Sequence, residues 1–449
     1  MGRLFGTDGV RGIANKELTP ELAFQLGKAG AYVLSKKNEK PVVLIGKDTR
    51  ISGDMLEDAI SAGILSMGGN VIKVGVLPTP AIAYLVKYYQ ADAGVVISAS
   101  HNPFEYNGIK FFNGDGFKLD DELEDQIEDI ILHNVDISSH ITGAYLGKCL
   151  DADESALEKY TEFLKGTIHC DISGMRIVLD CANGAAYKAA EMVYRGLGAE
   201  VFLLSNEPDG MNINEGCGST HPENLQKKVV EVGAEIGLAY DGDADRLIAV
   251  DEKGRILDGD RMLCICAKML KETGQLSGNR ITATVMSNIG FHKYVKEMGC
   301  TVDVTAVGDR YVLESMLKTG CTIGGEQSGH IIFLNHTTTG DGILSSLQLI
   351  QAVKLLGKKP SELADEITIY PQVLKNAAVK NENKEKYKED AVIVSEIARL
   401  ERLMEGEGRI LIRPSGTEPL VRVMIEGNDT RQITELAEGL AELLTRRFG

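Results

Sequence analysis

The chain lacks long apolar segments. No run in its 449 residues approaches the roughly 18 consecutive apolar residues that a transmembrane helix needs. Its first residues contain no apolar signal-peptide core, and Gly6 stands where a myristoylation signal has Ser or Thr. We therefore expect a protein without a membrane anchor.

Basic residues are also in deficit. The chain has 48 Lys and Arg against 65 Asp and Glu, which gives a formal net charge of −17. Nucleic-acid backbones and anionic membranes are bound by broad basic surfaces, so the composition argues against both as partners. If the ligand is an anion, its positive contacts must be concentrated locally.

Cysteine provides no framework for the fold. The eight cysteines are scattered, none belongs to a CxxC pair, and the closest two are Cys264 and Cys266. This spacing is poor for zinc and unlike that of a disulfide-rich domain. We expect reduced thiols in a cytoplasmic protein.

What remains is an ordinary globular composition, with 43% hydrophobic and 25% charged residues. At about 150 residues per domain, the length indicates about three domains, with two to four within range.

One pattern occurs three times: an apolar strand, a glycine-containing turn, a helix, a glycine and a second strand. The strand pairs fall at residues 41–46 and 71–75, 176–180 and 201–204, and 281–285 and 302–305. Short apolar strands that alternate with helices are typical of mixed or parallel sheets. We predict three related α/β domains, at residues 1–152, 153–254 and 255–367.

The remaining residues, 368–449, do not follow this pattern. Strands at 408–413 and 420–425 flank a Pro-Ser-Gly-Thr turn, and a helix follows at 431–448. We predict a smaller C-terminal α+β domain here.

Three carboxylates alternate in the acidic loop, Asp241-Gly-Asp-Ala-Asp-Arg246, which lies between two apolar runs. Alternating carboxylates can converge on one hard cation such as Mg²⁺. An EF-hand does not fit, because Arg246 replaces the glycine required at the sixth position. A solvated acidic turn is the other interpretation, and we favour a metal site.

Two serines follow an apolar strand in the serine loop, Ser98-Ala-Ser-His-Asn-Pro103. This is the strand end at which α/β sheets place their ligands, and a hydroxyl there could act as a nucleophile. The flanking residues are not the G-x-S-x-G elbow of esterases. A Ser/Asn capping turn is the structural alternative.

Three further loops are weak individually. The arginine loop, Arg413-Pro-Ser-Gly-Thr-Glu-Pro419, can form an anion nest together with Arg422. The glutamate loop, Gly325-Glu-Gln-Ser-Gly-His330, suits hydrogen bonds to sugar hydroxyls, and Phe5-Gly-Thr-Asp-Gly-Val-Arg-Gly12 carries Arg11. With the metal site and the serine, these loops predict phosphoryl transfer on a small anionic polyol.

The motifs and their order resemble those of the α-D-phosphohexomutases, and the resemblance covers the whole chain. It implies a heart-shaped four-domain protein of three related α/β domains and a smaller fourth domain. The Ser-Ala-Ser and Glu-Gln-Ser sequences are most similar to those of bacterial members that act on glucosamine phosphates. The implied reaction interconverts glucosamine 6-phosphate and glucosamine 1-phosphate, which supplies UDP-N-acetylglucosamine for cell-wall precursors.

The resemblance also implies a phosphoserine and a metal. Ser100, rather than Ser98, would carry the phosphoryl group, a choice that the spacing alone does not make. One Mg²⁺ would be held by a phosphate oxygen on Ser100 and by Asp241, Asp243 and Asp245.

The resemblance places Arg11, Lys110 and Arg246 around the transferring phosphate. His101 and Lys110 are the candidates for moving the hydroxyl proton, with Lys110 in first place. A sugar 1,6-bisphosphate is the implied intermediate and activator.

The implied substrate-binding residues lie in two loops. The sugar contacts are Glu326, Ser328 and His330, and the contacts to the non-reacting phosphate are Arg413, Ser415, Gly416, Thr417 and Arg422. The oligomeric state stays open, with a homodimer among the options.

Three alternatives remain at this point. The chain could act on glucose or mannose phosphates, because sugar discrimination rests on a few loop contacts. It could bind phosphosugars or metal without turnover, or it could be a metal-dependent phosphatase that uses the same serine.

The chain departs from the family pattern at two positions. Ala244 stands where the metal loop usually has glycine, and a positive φ there would strain the alanine. We expect metal binding to be retained, because alanine is small. Lys47 stands where arginine is more usual, and we expect little consequence.

Overall fold

The computed structural model describes residues 4–6, 8–35, 40–137, 141–150, 155–404, 406–415 and 418–449. The chain forms two compact units. The first contains Met1–Met286 and Cys300–Glu366, and the second contains Ser287–Gly299 and Ile367–Gly449.

The first sheet lies in the first unit. Its strands are β1 (Val10–Ile13), β2 (Val42–Lys47), β3 (Asn70–Val76), β4 (Ala93–Ile97) and β5 (Tyr106–Asn113). The helices of this region are α1 (Pro20–Leu34), α2 (Gly53–Ser66), α3 (Thr79–Tyr88) and α4 (Asp121–Leu132). Helix α1 begins at Pro20, because the Thr19 side chain accepts a hydrogen bond from the Leu22 amide and Pro20 fits the first turn.

The second sheet repeats this arrangement. Its strands are β6 (Arg176–Asp180), β7 (Glu200–Leu204), β8 (Ile236–Tyr240), β9 (Leu247–Asp251) and β10 (Ile256–Leu257). The helices of this region are α5 (Ala156–Lys165), α6 (Ala186–Gly196) and α7 (Glu223–Val232).

The third sheet has four strands: β11 (Arg280–Thr284), β12 (Thr301–Thr305), β13 (Ile323–Gly325) and β14 (Ile331–Phe333). The helices of this region are α8 (Gly259–Glu272), α9 (Ile289–Glu297), α10 (Asp309–Thr319), α11 (Gly342–Leu356) and α12 (Pro360–Asp365). Of these helices, α9 belongs to the second unit.

The three sheets share one strand order. They run β3-β2-β4-β5-β1, β7-β6-β8-β9-β10 and β12-β11-β13-β14. In each sheet the second strand is parallel to both neighbours, and the third is antiparallel to the fourth. The predicted threefold repeat of mixed α/β sheets is therefore confirmed.

The shared order gives the functional motifs equivalent positions. The serine loop connects β4 to β5, the acidic loop connects β8 to β9, and the glutamate loop connects β13 to β14. Each motif is thus the hairpin between the third and fourth strands of its sheet.

The second unit contains the predicted α+β domain. Strands β15 (Gln372–Ala378), β16 (Gly408–Pro414) and β17 (Leu420–Gly427) form an antiparallel sheet in the order β15-β17-β16. Its helices are α13 (Ala391–Met404) and α14 (Thr430–Phe448). The predicted helix at 431–448 is α14, and its apolar face is buried in the core of this unit, including Ile433, Ala437, Leu440 and Leu444.

Two expectations about composition can be compared with the structure. All eight cysteines are free thiols. Among the helices of the described ranges, none combines the length and apolar character that crossing a membrane requires.

Candidate active site

Ser100 lies at the centre of a buried site in the first unit. Its hydroxyl donates a hydrogen bond to Oδ2 of Asp241 at 2.6 Å, and its side chain is almost completely buried. Its φ is +52°, a left-handed conformation that is uncommon for a residue with a Cβ. The serine loop and the acidic loop therefore meet at this hydroxyl.

The Ser98 hydroxyl contacts Asp48 and not the acidic loop. It donates to Oδ2 of Asp48 at 2.6 Å and accepts a hydrogen bond from the Ser100 amide at 3.0 Å. Ser98 therefore faces Asp48 and supports the Ser100 amide, whereas Ser100 faces the acidic loop.

The three aspartates of the acidic loop converge. One carboxylate oxygen of each of Asp241, Asp243 and Asp245 lies within 4.8 Å of the others, and all three residues are buried. Burial, followed by the charges of Asp245 and Asp243, raises the pKa of Asp241 well above its ordinary value.

These carboxylates fit a hard divalent cation. Within the described part of the chain, the Oδ1 atoms of Asp243 and Asp245 are buried and accept no hydrogen bond. Buried carboxylate oxygens without partners are costly, and oxygen ligands converging at this spacing are what Mg²⁺ binds. The predicted metal-binding cluster is therefore present in the fold.

Ala244 occupies the turn of the acidic loop with a φ of +56° and is fully buried. The position thus has the left-handed conformation in which glycine is favoured. The Ala244 carbonyl accepts a hydrogen bond at 2.9 Å from the amide of Gly342, the first residue of α11. Helix α11 therefore helps to hold the turn despite the Cβ.

Lys110 lies on β5 and is almost completely buried. Its Nζ is 2.9 Å from Oδ2 of Asp243 and 2.9 Å from Oδ2 of Asp8. Burial lowers the pKa of Lys110, but Asp243 and Asp8 outweigh that effect and raise it above the ordinary value. Lys110 is therefore a charged ammonium beside the aspartates.

Two arginines and a histidine complete this region. Arg11 pairs with Asp8, and the Arg246 amide donates to Oδ1 of Asp241 at 3.1 Å. Burial, followed by the charges of Arg246 and Arg11, lowers the pKa of His101. The His101 ring is therefore neutral at pH 7.

A chain of alternating charges extends from Lys110 into the third sheet. Asp8 also pairs with Lys118 at 2.6 Å, and Lys118 pairs with Asp309 at 2.5 Å. His330 then lies between Asp309 and Asp245, at 3.8 and 3.6 Å. Sequence reasoning missed Asp8, although it lies within the Phe5–Gly12 motif, and missed Lys118 and Asp309, which no motif marks.

The glutamate loop joins the same side of the site. Glu326 is half-buried, and its Oε1 accepts a hydrogen bond from the Gly308 amide at 3.0 Å. Ser328 is exposed, whereas His330 is buried and its Nε2 accepts a hydrogen bond from the Gly340 amide at 3.1 Å. Asp245 and Asp309 raise the pKa of His330 although burial, the largest single effect, lowers it.

The arginine loop lies in the second unit. Arg413 and Arg422 are directly opposite in the β16–β17 ladder, and Ser415 is buried at the end of β16. Nη2 of Arg422 lies 3.3 Å from a Glu418 carboxylate oxygen, whereas Nη1 of Arg413 is buried and donates no hydrogen bond to any described residue. Gly416 and Thr417, also predicted to bind phosphate, lie outside the described residues.

Comparison with known proteins shows which family has these domains in this order. Four models named for phosphoglucomutase/phosphomannomutase match the chain: α/β/α domain I at residues 2–136, domain II at 158–254, domain III at 258–370 and the C-terminal domain at 374–443. The phosphoglucosamine mutase of Alkaliphilus oremlandii is 59% identical over 449 residues, which covers 100% of both chains.

The chain belongs to the phosphohexomutase family. As a family member with full-length phosphoglucosamine mutase relatives, it is an enzyme of the mutase type, an isomerase.

Solved phosphohexomutase structures share the fold. A phosphoglucomutase/phosphomannomutase family protein from Burkholderia thailandensis has a TM-score of 0.81 at 24% identity, with 99% of this chain and 98% of that chain covered. An N-acetylphosphoglucosamine mutase from Aspergillus fumigatus, solved with GlcNAc-6P and magnesium, has a TM-score of 0.71 at 17% identity, with 99% and 96% covered.

Proposed function

We propose that this phosphohexomutase interconverts glucosamine 6-phosphate and glucosamine 1-phosphate, with Ser100 as the phosphoryl carrier. The observation that carries the proposal is the buried Ser100 hydroxyl, 2.6 Å from a carboxylate of a three-aspartate cluster. The glucosamine substrate is supported by the full-length phosphoglucosamine mutase relatives.

The reaction consists of two phosphoryl transfers. In the first, the P–Oγ bond of phospho-Ser100 breaks while a bond forms from phosphorus to the sugar O1, which loses its proton. The resulting 1,6-bisphosphate turns around within the site. The Ser100 oxygen then takes the phosphoryl group from O6, and O6 regains a proton.

Asp241, Asp243 and Asp245, with an oxygen of phospho-Ser100, would hold one Mg²⁺. When bound, the cation supplies positive charge that neutralises the phosphoryl oxygens during transfer. The two buried carboxylate oxygens without hydrogen-bond partners support this assignment.

Proton movement falls to Lys110 and His101. Lys110 is held as an ammonium between Asp8 and Asp243, so it can donate a proton to the Ser100 oxygen as the phosphoryl group leaves. Neutral His101 can accept a proton from the attacking hydroxyl. Arg11 and Arg246 would bind the transferring phosphate, because guanidinium groups match its oxygens in bidentate fashion.

The substrate is proposed to bind through two loops. Glu326, Ser328 and His330 would contact the sugar. The opposed guanidinium groups of Arg413 and Arg422, with Ser415 and the turn at Gly416 and Thr417, would bind the phosphate that is not reacting.

The domain boundaries at residues 152, 254 and 367, the cytoplasmic location and a homodimeric assembly also stay predictions. A sugar 1,6-bisphosphate is proposed as the activator, because it would phosphorylate Ser100 and leave a monophosphate.

The first test compares kcat/KM for glucosamine 6-phosphate, glucose 1-phosphate and mannose 1-phosphate, with Mg²⁺ and a trace of sugar bisphosphate. We expect a clear preference for glucosamine phosphate. A preference for glucose or mannose phosphate would agree with the proposed mechanism but contradict the proposed glucosamine substrate. Free phosphate released faster than isomerisation would identify a phosphatase instead.

The role of Ser100 as phosphoryl carrier is tested by measuring the intact mass of the protein after incubation with glucose 1,6-bisphosphate. We expect wild type and Ser98→Ala to gain one phosphoryl group, and Ser100→Ala to gain none and to lose mutase activity. A Ser100→Ala protein with the wild-type rate would rule the mechanism out.

A further inference from the structure

Asp48 and Arg50 lie in the short loop that follows β2, beside the strand that carries the serine loop. Both residues are nearly inaccessible, with 2% and 3% exposed. Strands β2 and β4 are parallel neighbours, so the two loops leave the same edge of the sheet. The reaction proposed above gives neither residue a role.

The Arg50 guanidinium binds three backbone carbonyls of the serine loop. Its Nη1 donates to the Pro103 carbonyl at 2.7 Å, and its Nη2 donates to the carbonyls of Ser100 at 3.0 Å and Asn102 at 2.9 Å. A planar guanidinium with fixed donor directions can satisfy several carbonyls at once, whereas an ammonium is a single point charge.

Asp48 orients this guanidinium and also binds the loop. Its Oδ2 accepts from Nε of Arg50 at 2.9 Å and from the Ser98 hydroxyl at 2.6 Å. The Ser98 oxygen in turn accepts from the Ser100 amide at 3.0 Å. Asp48 is therefore connected to the amide side of Ser100, and Arg50 to its carbonyl side.

Asn214, from the segment between β7 and α7, donates to two of the same carbonyls. Its Nδ2 donates to the Ser100 carbonyl at 2.9 Å and to the Asn102 carbonyl at 3.0 Å. The Ser100 carbonyl thus accepts hydrogen bonds from residues of both the first and the second α/β regions.

These contacts fix the peptide planes on both sides of the Ser100 Cα. The two planes set φ and ψ, and φ and ψ set the direction of the Cα–Cβ bond. Ser100 is left-handed, with a φ of +52°, and such a conformation persists only where the surroundings hold it. Relaxation to an extended conformation would turn the hydroxyl away from Asp241.

We propose that the Asp48–Arg50 pair, assisted by Asn214, positions Ser100 for phosphoryl transfer by holding it in this left-handed conformation. The inference rests on the proposed role of Ser100 as the carrier. Ser100 must face O1 and O6 in turn, so loss of these hydrogen bonds lowers kcat. Other loops bind the sugar phosphate, so its binding is preserved.

The test uses Arg50→Lys and Asn214→Ala, with Arg255→Lys as a control for the same exchange at a more exposed arginine. Arg255 also donates to an aspartate, Asp251, at 2.7 Å and to a carbonyl, that of Ser361, at 3.1 Å, but it contacts no part of the serine loop. Asn214→Ala removes two hydrogen bonds without leaving a buried charge unpaired, so it remains informative if Arg50→Lys does not fold.

We expect kcat to fall at least about 30-fold in Arg50→Lys and about 5- to 10-fold in Asn214→Ala, with KM for glucosamine 6-phosphate within about threefold of wild type. Phosphorylation of Ser100 by glucose 1,6-bisphosphate, followed by intact mass, should slow in the same order. Arg255→Lys should match wild type in both measurements.

Two results would overturn the inference. One is a wild-type kcat in both Arg50→Lys and Asn214→Ala. The other is a loss of activity that Arg255→Lys reproduces together with a lower Tm, because that indicates general destabilisation. Failure of the proposed function is distinguishable, since the wild-type protein would then take up no phosphoryl group on Ser100.

Discussion

Arg413 lies directly opposite Arg422 across the β16–β17 ladder. Like charges in directly opposed cross-strand positions repel each other, and only Arg422 has a carboxylate partner among the described residues, at 3.3 Å in Glu418. A pair of cations arranged in this way favours an anion between or beside them.

Arg413→Ala is therefore expected to raise KM for glucosamine 6-phosphate by about 10- to 100-fold, which corresponds to the loss of a charge-assisted hydrogen bond of about 1.5–3 kcal/mol. Tm should not fall, because the substitution removes a repulsive pair. Steady-state kinetics provide the measurement, with Arg431→Ala, an exposed arginine in the same unit, as the control. An unchanged KM would reject the role of Arg413.

Asp241→Asn should have opposite effects with and without metal. In EDTA we expect a higher Tm than wild type, because burial and the charges of Asp245 and Asp243 raise the pKa of Asp241 and make its ionised form costly. Mg²⁺ should raise the Tm of wild type but not that of Asp241→Asn, because the variant lacks one of the proposed ligands. Thermal unfolding in EDTA and in Mg²⁺ tests both, and a wild-type response to Mg²⁺ would contradict the metal assignment.

Ala244→Gly should stabilise the protein by about 0.5–1 kcal/mol, because glycine adopts a φ of +56° without the cost of a Cβ. Ala249→Gly, in strand β9, is the matched control and should destabilise by about 1 kcal/mol. Denaturant unfolding measures both. A destabilised Ala244→Gly would mean that the alanine methyl contributes more through packing than the conformation costs.

Lys118→Met should destabilise the first unit by about 3 kcal/mol, because Asp8 and Asp309 lose the cation that lies between them. The double variant Lys118→Met/Asp309→Leu should recover part of that loss, since one of the two carboxylates that lose Lys118 is removed. Denaturant unfolding of both proteins is the measurement. Equal stability of Lys118→Met and wild type would show that the ion pairs of Lys118 contribute nothing to the free energy of unfolding.

The stability of the first unit should fall as pH rises through 6 because of Asp341. Burial, partly offset by hydrogen bonds from the Leu344 amide and the Tyr160 hydroxyl, raises the pKa of Asp341 to about 6. A pKa raised above the unfolded value of about 3.9 gives stability that is complete below pH 3.9 and is lost as pH passes 6.

Asp341→Asn removes this ionisation. From pH 5 to pH 8, its free energy of unfolding should improve relative to wild type by about 1.4 kcal/mol, because only the interval between pH 5 and the folded pKa of about 6 contributes, at 1.36 kcal/mol per unit. The measurement is denaturant unfolding in EDTA at both pH values. A pH-independent difference between the two proteins would contradict the raised pKa.

Local patterns were enough to predict the strand pairs of the threefold repeat and the acidic loop. Residues 176–180 were predicted as a strand and form β6, and the three aspartates lie in one hairpin, so their convergence follows from their spacing. The start of helix α1 is equally local, because its cap is formed by the adjacent residues Thr19 and Pro20.

Features that depend on long-range packing were not predictable. Lys118 and Asp309 are 191 residues apart, and their pairing exists only once the first and third α/β regions are in place. The distinction between Ser98 and Ser100 depends on Asp48, which is 50 residues from Ser98. The domain boundaries and the roles of individual site residues remain predictions.

The equivalent positions of the three hairpins in the first unit have a practical consequence. The hairpin between the third and fourth strands is one connection of a sheet, so its residues can change without altering the strand order. Because His330 lies 3.6 Å from Asp245, the end of the glutamate loop belongs to the shared site. The exchangeable part is therefore Glu326, Gln327 and Ser328, which could be replaced by those of a relative with another sugar preference, while His330 and the serine and acidic loops stay as they are.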